Sequence, residues 1–206
     1  MTNNTTCCWG EVSPLMKKYH DTEWGVPLHN DRKLFEFLLL DGAQAGLSWS
    51  TVLNKRAAYR KAFAAFEPRK VARFTRRDVD RLLANPGLIR NRLKIQSAIT
   101  NAQRFLELQR DLGSFDAFIW SFVKGRPIRG GWKSWKEVPA MTPESDALSQ
   151  ALKQRGFKFV GSTICYAVMQ SAGLVNDHLL DCPRRRAVSA RSGARLCGPA
   201  RRTSRA

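Results

Sequence analysis

Apolar residues recur at helical spacing along most of the chain, and the clearest case starts at residue 30. Asn30 or Asp31 can cap a helix there, because a short side-chain oxygen accepts hydrogen bonds from the first free amide groups. The pattern predicts a helix with one buried face. Its apolar positions, three and four residues apart, are Leu34, Phe35, Leu38 and Leu39.

A second helix is predicted to begin at Trp49, with Ser48 as its N-cap. Glu67-Pro68 ends it, because the residue before a proline disfavours helical geometry. The residues predicted to be buried on this helix are Val52, Leu53, Phe63 and Phe66.

Capping signals predict further helices downstream. Thr75 and Asp78 form a capping box, Ser114 caps a short aromatic helix, and Thr142-Pro143 opens another. A last apolar helix is expected to end near Gly173. No segment alternates convincingly between apolar and polar residues, so the predicted fold class is all-α.

The turn signal Asn85-Pro86-Gly87 precedes a long helix predicted over residues 90–111. Free amides at such a turn, with Arg90, Arg92 and Lys94 just beyond it, would grip a DNA phosphate without reading sequence. Gly87 and these three cations are the candidate DNA-binding residues. A helix pair that binds nothing needs a similar turn, so both interpretations are open.

Residues 124–141 are the least regular part of the body, with three Gly, two Pro and two Trp. They fit either a loop that lies against DNA or a solvated connection whose two Trp side chains pack locally.

The charge balance points to a polyanionic partner. The 206 residues have the length of one domain and carry a formal net charge of +18, from 35 basic and 17 acidic residues. Eight of these charges are Arg residues in the last 24 positions, which contain no acid, so residues 1–182 carry the other +10. Nucleic acid is the favoured partner. One domain is predicted over 1–182, and a basic, disordered tail over 183–206.

Cysteine usage and hydropathy indicate a cytoplasmic location. The five Cys are an odd number, which favours reduced thiols over a disulfide framework. No stretch approaches the roughly 20 apolar residues of a membrane span. The N-terminus lacks the features of a signal peptide. A cytoplasmic monomer is predicted.

Two pairs of potential metal ligands lie at opposite ends of the chain. His178 and Cys182 are spaced so that they face the same way on a helix and can share one ion. Cys7 and His20 supply two more ligands, with Cys8 as the rival to Cys7. Two Cys and two His would close a tetrahedral zinc site, hence a structural one. Whether the two pairs meet is open.

Asp41 stands at the end of the first apolar run. An isolated buried carboxylate is costly, so it must be paired, hydrated or waiting for a cation. A purely structural interpretation is also open, in which Asp41 only caps the next helix and the nearby aromatic residues belong to the core. These aromatic residues are Trp9, Tyr19, Trp24 and Trp49.

Several longer motifs match a known family. They are Tyr19-His20-Asp21, Glu23-Trp24-Gly25-Val26-Pro27, Gln44-Ala45-Gly46-Leu47-Ser48-Trp49, Gly156-Phe157-Lys158-Phe159-Val160-Gly161 and His178-x-x-x-Cys182. From Cys7 to Cys182 the chain resembles the DNA-3-methyladenine glycosylase I family of the helix-hairpin-helix superfamily.

The resemblance implies a fold, a metal and an activity. The fold is an all-α helix-hairpin-helix glycosylase whose termini are joined by a structural zinc on Cys7, His20, His178 and Cys182. The activity is that of a monofunctional enzyme of base excision repair. It hydrolyses the N-glycosidic bond of 3-methyladenine in alkylated double-stranded DNA and leaves an abasic site and the free base.

The resemblance also implies roles for the residues of a base pocket. Asp41 is the catalytic carboxylate that hydrogen-bonds the extruded cationic base. The rings expected to bind the base are those of Tyr19, Trp49, Trp9 and Trp24. No motif positions a Lys for Schiff-base chemistry, so no strand cleavage is expected.

Two positions depart from the family pattern, which commonly has Glu at Asp41 and Tyr at Met16. These departures favour an alternative function, a non-catalytic helix-hairpin-helix module that binds damaged DNA. A small basic zinc protein that binds nucleic acid structurally is a third interpretation, and the aromatic residues with their carboxylate argue against it.

Overall fold

Helices dominate the part of the chain that the computed structural model describes, residues 7–193. Its α-helices are α1 (Pro14–Thr22), α2 (Asp31–Gln44), α3 (Trp49–Ala62), α4 (Pro68–Val71), α5 (Arg76–Ala84), α6 (Arg92–Leu112), α7 (Phe115–Ser121), α8 (Pro143–Gln154), α9 (Ser162–Ser171) and α10 (Pro183–Gly193). Short 3₁₀ segments cover Cys8–Val12, Ala64–Phe66 and Trp135–Glu137. The predicted all-α class is confirmed, apart from one small strand pair.

That strand pair was not predicted. β1 (Ile128–Arg129) and β2 (Val175–Asn176) lie parallel, with Ile128 opposite Val175. Two-residue strands are too short to show the alternation by which a strand is recognised in a sequence. The pair ties the irregular segment after α7 to the segment after α9.

Helix α2 is the centre of the core. Every residue from Leu34 to Ala43 is buried, so the predicted single buried face is too narrow. A helix buried on all sides must be surrounded by other elements, and α2 packs against α3, α6, α7 and α9. Asp41, in the last turn of α2, is therefore inside the protein.

The predicted caps are present. Asn30 caps α2 by accepting a hydrogen bond from the amide of Lys33 at 3.0 Å. Asp31 instead accepts the amides of Phe115 and Asp116 at 3.0 and 2.8 Å, and so holds the start of α7 against α2. The other predicted capping positions also hold: Ser48, Thr75 with Asp78, Ser114 and Thr142.

Helix α3 ends at Ala62, earlier than predicted. The backbone is left-handed at Ala64, Ala65 and Phe66, with φ of 50°, 54° and 57°. This turn lets both Phe63 and Phe66 point into the core, where they are 1% and 0% exposed.

The C-terminal segment is more ordered than predicted. Disorder was expected from residue 183, but Pro183–Gly193 form α10. Val188 of this helix is 1% exposed, and Arg185 donates hydrogen bonds to the carbonyls of Gly130 and His178. The boundary between domain and tail stays a prediction, and residues 194–206 lie outside the described part.

Among the helices of residues 7–193, none combines the length and apolar character that a bilayer crossing requires.

Candidate active site

A cleft of about 280 Å³ opens where α1, the end of α2, the first turn of α3 and α9 meet. This volume is just below the ~300–1,000 Å³ of typical small-molecule sites, so the cleft suits a single flat ring system. All the residues predicted for a base pocket line it: Trp9, Tyr19, Trp24, Asp41 and Trp49. The structure thus brings together side chains from four separate elements.

The cleft concentrates polar atoms that lack partners. Within residues 7–193, four buried side-chain polar atoms have no hydrogen bond, and three of them belong to cleft residues: Asp41 Oδ2, Trp9 Nε1 and Trp49 Nε1. Buried polar groups are nearly always satisfied, so this concentration indicates a ligand site. The unpartnered oxygen can accept a hydrogen bond from an amino group, and the two N–H groups can donate to ring nitrogens, so together they suit a heterocycle that carries both.

Asp41 does not cap α3, which excludes that alternative. The cap is Ser48, whose hydroxyl accepts the amide of Thr51 at 3.2 Å. Ser171, which accepts a hydrogen bond from the hydroxyl of Tyr19 at 3.0 Å, lies near the Asp41 carboxyl and lowers its pKa. Residues of α1 and α9 therefore surround the carboxyl at the end of α2.

Burial raises the pKa of the Asp41 carboxyl well above its usual value, although the Ser171 hydrogen bond and the positive charge of Arg56 lower it. Burial therefore stabilises the neutral form of this acid relative to an exposed carboxyl. An entering cation would favour the ionised form, because an opposite charge stabilises a carboxylate. The ionised state predicted from the sequence thus depends on the ligand.

The cleft walls are aromatic. Tyr19 and Trp49 lie with ring centroids 5.1 Å apart, and Trp9 meets the edge of Trp24 at 4.9 Å. Tyr19 and Trp24 are buried, so these two rings are also core residues, which agrees with the structural interpretation of the aromatic residues. Met16 lines the cleft and packs in the same apolar cluster. The two roles are compatible, because the same rings line the cleft and pack in that cluster.

An ion-pair network centred on Arg56 was not predicted from the sequence. Arg56 donates to both carboxylate oxygens of Glu23, at 2.9 and 2.8 Å, and to Glu36 at 2.8 Å. Glu36 is 3% exposed although it lies on α2. The network joins the end of α1 to α2 and α3, the elements that carry the cleft side chains. A charged residue within a run of apolar ones was the available signal.

The four predicted metal ligands meet at one buried point. Their ligand atoms all lie within 4.8 Å of one another. The two ring nitrogens are 3.2 Å apart, and the sulfur–nitrogen separations run from 3.5 to 3.9 Å. Tetrahedral zinc, with bonds of about 2.0–2.3 Å, places its ligand atoms roughly 3.3–3.8 Å apart. The residues Cys7, His20, His178 and Cys182 fit such an ion.

Hydrogen bonds outside the cluster orient both rings. His20 Nδ1 lies 2.8 Å from Asp21 Oδ1, and His178 Nε2 lies 3.2 Å from the carbonyl oxygen of Trp24. Since both outer partners accept, each ring carries its proton on the outer nitrogen and presents a lone pair inward. Two lone pairs facing each other at 3.2 Å repel unless a cation lies between them.

The predicted DNA-binding residues lie on the turn before α6 and on its first residues, but they differ in their contacts. Arg90 is exposed, and Arg92 makes an exposed ion pair with Asp80 at 3.3 Å. Lys94 instead donates to the carbonyls of Ala43 and Ala45 at 2.8 and 2.5 Å, which closes the end of α2.

The amides of this turn also have internal partners. The N–H of Gly87 donates to the side chain of Asn85, that of Leu88 to its carbonyl, and that of Ile89 to the hydroxyl of Tyr59. Gly87 lies against Ala58, where a Cβ atom would fall 2.8 Å from that methyl group. The predicted free amides are therefore not found at residues 87–89.

The fold and the cleft together define a helical protein with an aromatic cleft of one-ring size around a buried carboxyl, and with a buried cluster of two Cys and two His that could hold a metal ion. The chain belongs to the methyladenine glycosylase family, whose model matches residues 9–186. It is 51% identical over 176 residues to DNA-3-methyladenine glycosylase 1 of Escherichia coli (strain K12), covering 85% of this chain and 94% of that protein.

Solved structures show the same similarity. A crystal structure of 3-methyladenine DNA glycosylase I superposes with a TM-score of 0.84 at 52% identity, covering 86% of this chain and 97% of that one. A structure that describes 3-methyladenine recognition by the Staphylococcus aureus enzyme gives 0.85 at 39% identity, covering 88% and 96%.

Proposed function

We propose that this protein is a monofunctional DNA glycosylase that hydrolyses the N-glycosidic bond of 3-methyladenine in alkylated DNA. The observation that carries the proposal is the concentration of unpartnered polar atoms in an aromatic cleft of one-base size. Family membership supports the proposal, since a relative of similar sequence and a solved structure of similar fold are both named for 3-methyladenine. The products are the free base and an abasic site in an intact strand.

The cleft residues account for recognition of a methylated base. Methylation at N3 makes adenine cationic and weakens its glycosidic bond, so the enzyme has mainly to extract the base and hold it. The faces of Tyr19 and Trp49 attract a flat cation. Asp41 Oδ2 accepts a charge-assisted hydrogen bond from the base, and the cation in turn keeps the carboxylate ionised.

We assign the buried Cys–His cluster a structural zinc ion. Zinc suits two thiolates and two imidazoles, and four protein ligands leave no open position for chemistry. Bound there, the ion would join the segment before α1 to the segment before α10. Trp24, whose carbonyl orients His178, lines the cleft, so the metal site supports one cleft wall.

We assign α5, the turn at residues 85–91 and α6 to the helix-hairpin-helix of the superfamily, with duplex DNA as its partner. Lys94 anchors the first turn of α6 to the end of α2, four residues or fewer beyond Asp41. The turn and the cleft therefore lie at the same end of α2. We further propose a monomer in the cytoplasm.

The proposed function is tested by incubating the protein with methylated duplex DNA and identifying the released bases by chromatography. The expected result is 3-methyladenine, together with abasic sites that break only under alkali. Binding to the methylated duplex without any base release would support the alternative, a non-catalytic module that binds damaged DNA.

Replacing Arg90 and Arg92 by Ala should weaken binding to any duplex and make the dependence of log K on log salt shallower by about one unit per phosphate contact. Both side chains are exposed. Base release at saturating protein should stay unchanged. Fluorescence anisotropy over a salt series measures this effect. Arg110→Ala, an exposed Arg at the other end of α6, is the matched control and should leave the slope unchanged. An unaltered slope in the Arg90/Arg92 variant would rule out phosphate contacts there.

A further inference from the structure

Trp135 occupies the rim of the cleft. It lines the same cavity as Asp41, and its ring centroid lies 6.0 Å from those of Trp9 and Trp24. Trp135 is 38% exposed, whereas Tyr19 and Trp24 are 2% and 5% exposed. Its ring thus extends the aromatic wall outward to the surface.

The loop that carries Trp135 is held in place by its neighbour Trp132. The indole N–H of Trp132 donates to Asp177 Oδ1 at 2.8 Å, and its carbonyl accepts the amide of Leu180 at 2.9 Å. Asp177 is 0% exposed, and its other oxygen accepts hydrogen bonds from Tyr166 and Gln170. Gln170 itself lines the cleft, so Asp177 links the loop to the cleft wall.

The contact is tight at Gly130. A Cβ atom there would overlap both the indole nitrogen of Trp132 and Asp177 Oδ1. The two Trp residues of 124–141 therefore differ in their contacts: Trp132 is anchored to Asp177, and Trp135 lines the cleft. Contact of this loop with DNA stays a prediction.

The surroundings of Trp135 suit a nucleotide. Lys133 and Lys136 flank it in the sequence and are exposed, so positive charge lies beside the aromatic rim. An extruded nucleotide presents a flat base between negative phosphates, and stacking on an aromatic ring is a common way to hold such a base. A preorganised ring binds it without the entropy loss of ordering a mobile loop.

We infer that Trp135 is a base-contacting specificity residue, which closes the outer side of the cleft over the extruded methylated purine, and that Trp132 is its positioning residue. This inference rests on the proposed function. It adds a contact from a loop outside the helices that build the cleft.

Trp135→Ala should weaken the affinity for free 3-methyladenine about tenfold or more, measured by isothermal titration calorimetry, because a stacking contact of that order is lost. The KM for base release from methylated duplex should rise by a similar factor, while single-turnover release at saturation changes less than about threefold. Trp135→Phe keeps an aromatic face and should retain most of the affinity.

Two controls make the result specific. Met141→Ala removes another exposed apolar side chain of the loop, one that does not line the cleft, and should change nothing. Trp132→Phe keeps an aromatic ring but loses the indole N–H that donates to Asp177. It should raise KM without lowering the saturated rate, which separates positioning from general loss of structure.

The outcomes are distinguishable. Wild-type activity with unchanged affinity in Trp135→Ala would overturn the inference and leave the proposed function intact. Equal weakening on undamaged and methylated duplex would also overturn it, because the ring would then contact DNA and not the base. Wild-type protein that releases no base would overturn the proposed function and this inference together.

Discussion

Asp41→Asn should slow single-turnover release of 3-methyladenine about ten- to hundredfold at saturating protein. Asn is nearly isosteric with Asp but neutral, so the change isolates the charge that the cationic base meets in the cleft. Hydrogen bonds to charged groups contribute about 1.5–3 kcal/mol, which corresponds to that range. Asp41→Glu should retain activity or raise it, since the resemblance places Glu at this position in most of the family.

The same Asn variant should be more stable than the wild type, which distinguishes loss of chemistry from loss of fold. Burial raises the pKa of Asp41 well above its usual value, so the folded protein holds this proton more tightly than the unfolded chain. Ionisation therefore destabilises the unliganded protein as the pH rises above about 4, the usual carboxyl pKa. The Asn side chain carries no such penalty.

Melting temperatures over a pH series measure this effect. The Tm of Asp41→Asn should match the wild type in acid and exceed it increasingly toward neutral pH. Full base release by Asp41→Asn would refute the catalytic assignment of Asp41. A Tm of this variant below that of the wild type at neutral pH would refute the raised pKa of the buried carboxyl.

Cys182→Ala should abolish stoichiometric metal binding and lower the Tm by about 10 °C or more. Structural zinc contributes folding free energy directly. In a domain of this size each kcal/mol corresponds to roughly 2–4 °C. The loss should be large because Cys182 connects α10 to His20 and His178 through the shared site. Elemental analysis and calorimetry on the same samples provide both readouts.

Cys165→Ala is the matched control. Cys165 is also buried, at 1% exposed, but its sulfur donates to the carbonyl of Val160 and lies outside the cluster. This variant should keep one zinc per chain. Wild-type protein without stoichiometric zinc would contradict the assignment of the metal site.

The sequence was most informative where short-range chemistry decides the structure. The caps at Asn30, Ser48 and Ser114 follow from side-chain oxygens that satisfy amides three residues away. The meeting of His20 with His178 came from the resemblance, because nothing in the local sequence brings residues so far apart together.

Tertiary contacts decided the remaining features. Lys94 was predicted to bind phosphate, but its position beside the end of α2 offers two carbonyl oxygens that lack helical partners, and partial burial lowers the pKa of its ammonium group. Trp132 and Trp135 look equivalent in the sequence, yet only the first reaches Asp177. Such differences depend on which element packs opposite a residue, which spacing along the chain does not reveal.

A crystal structure of the wild-type protein with bound 3-methyladenine tests the proposed base recognition most directly. We expect the base to lie in the cleft against the rings of Tyr19 and Trp49, with one of its nitrogens within hydrogen-bond distance of Asp41 Oδ2. A base bound elsewhere, or a cleft that stays empty at saturating ligand, would contradict it.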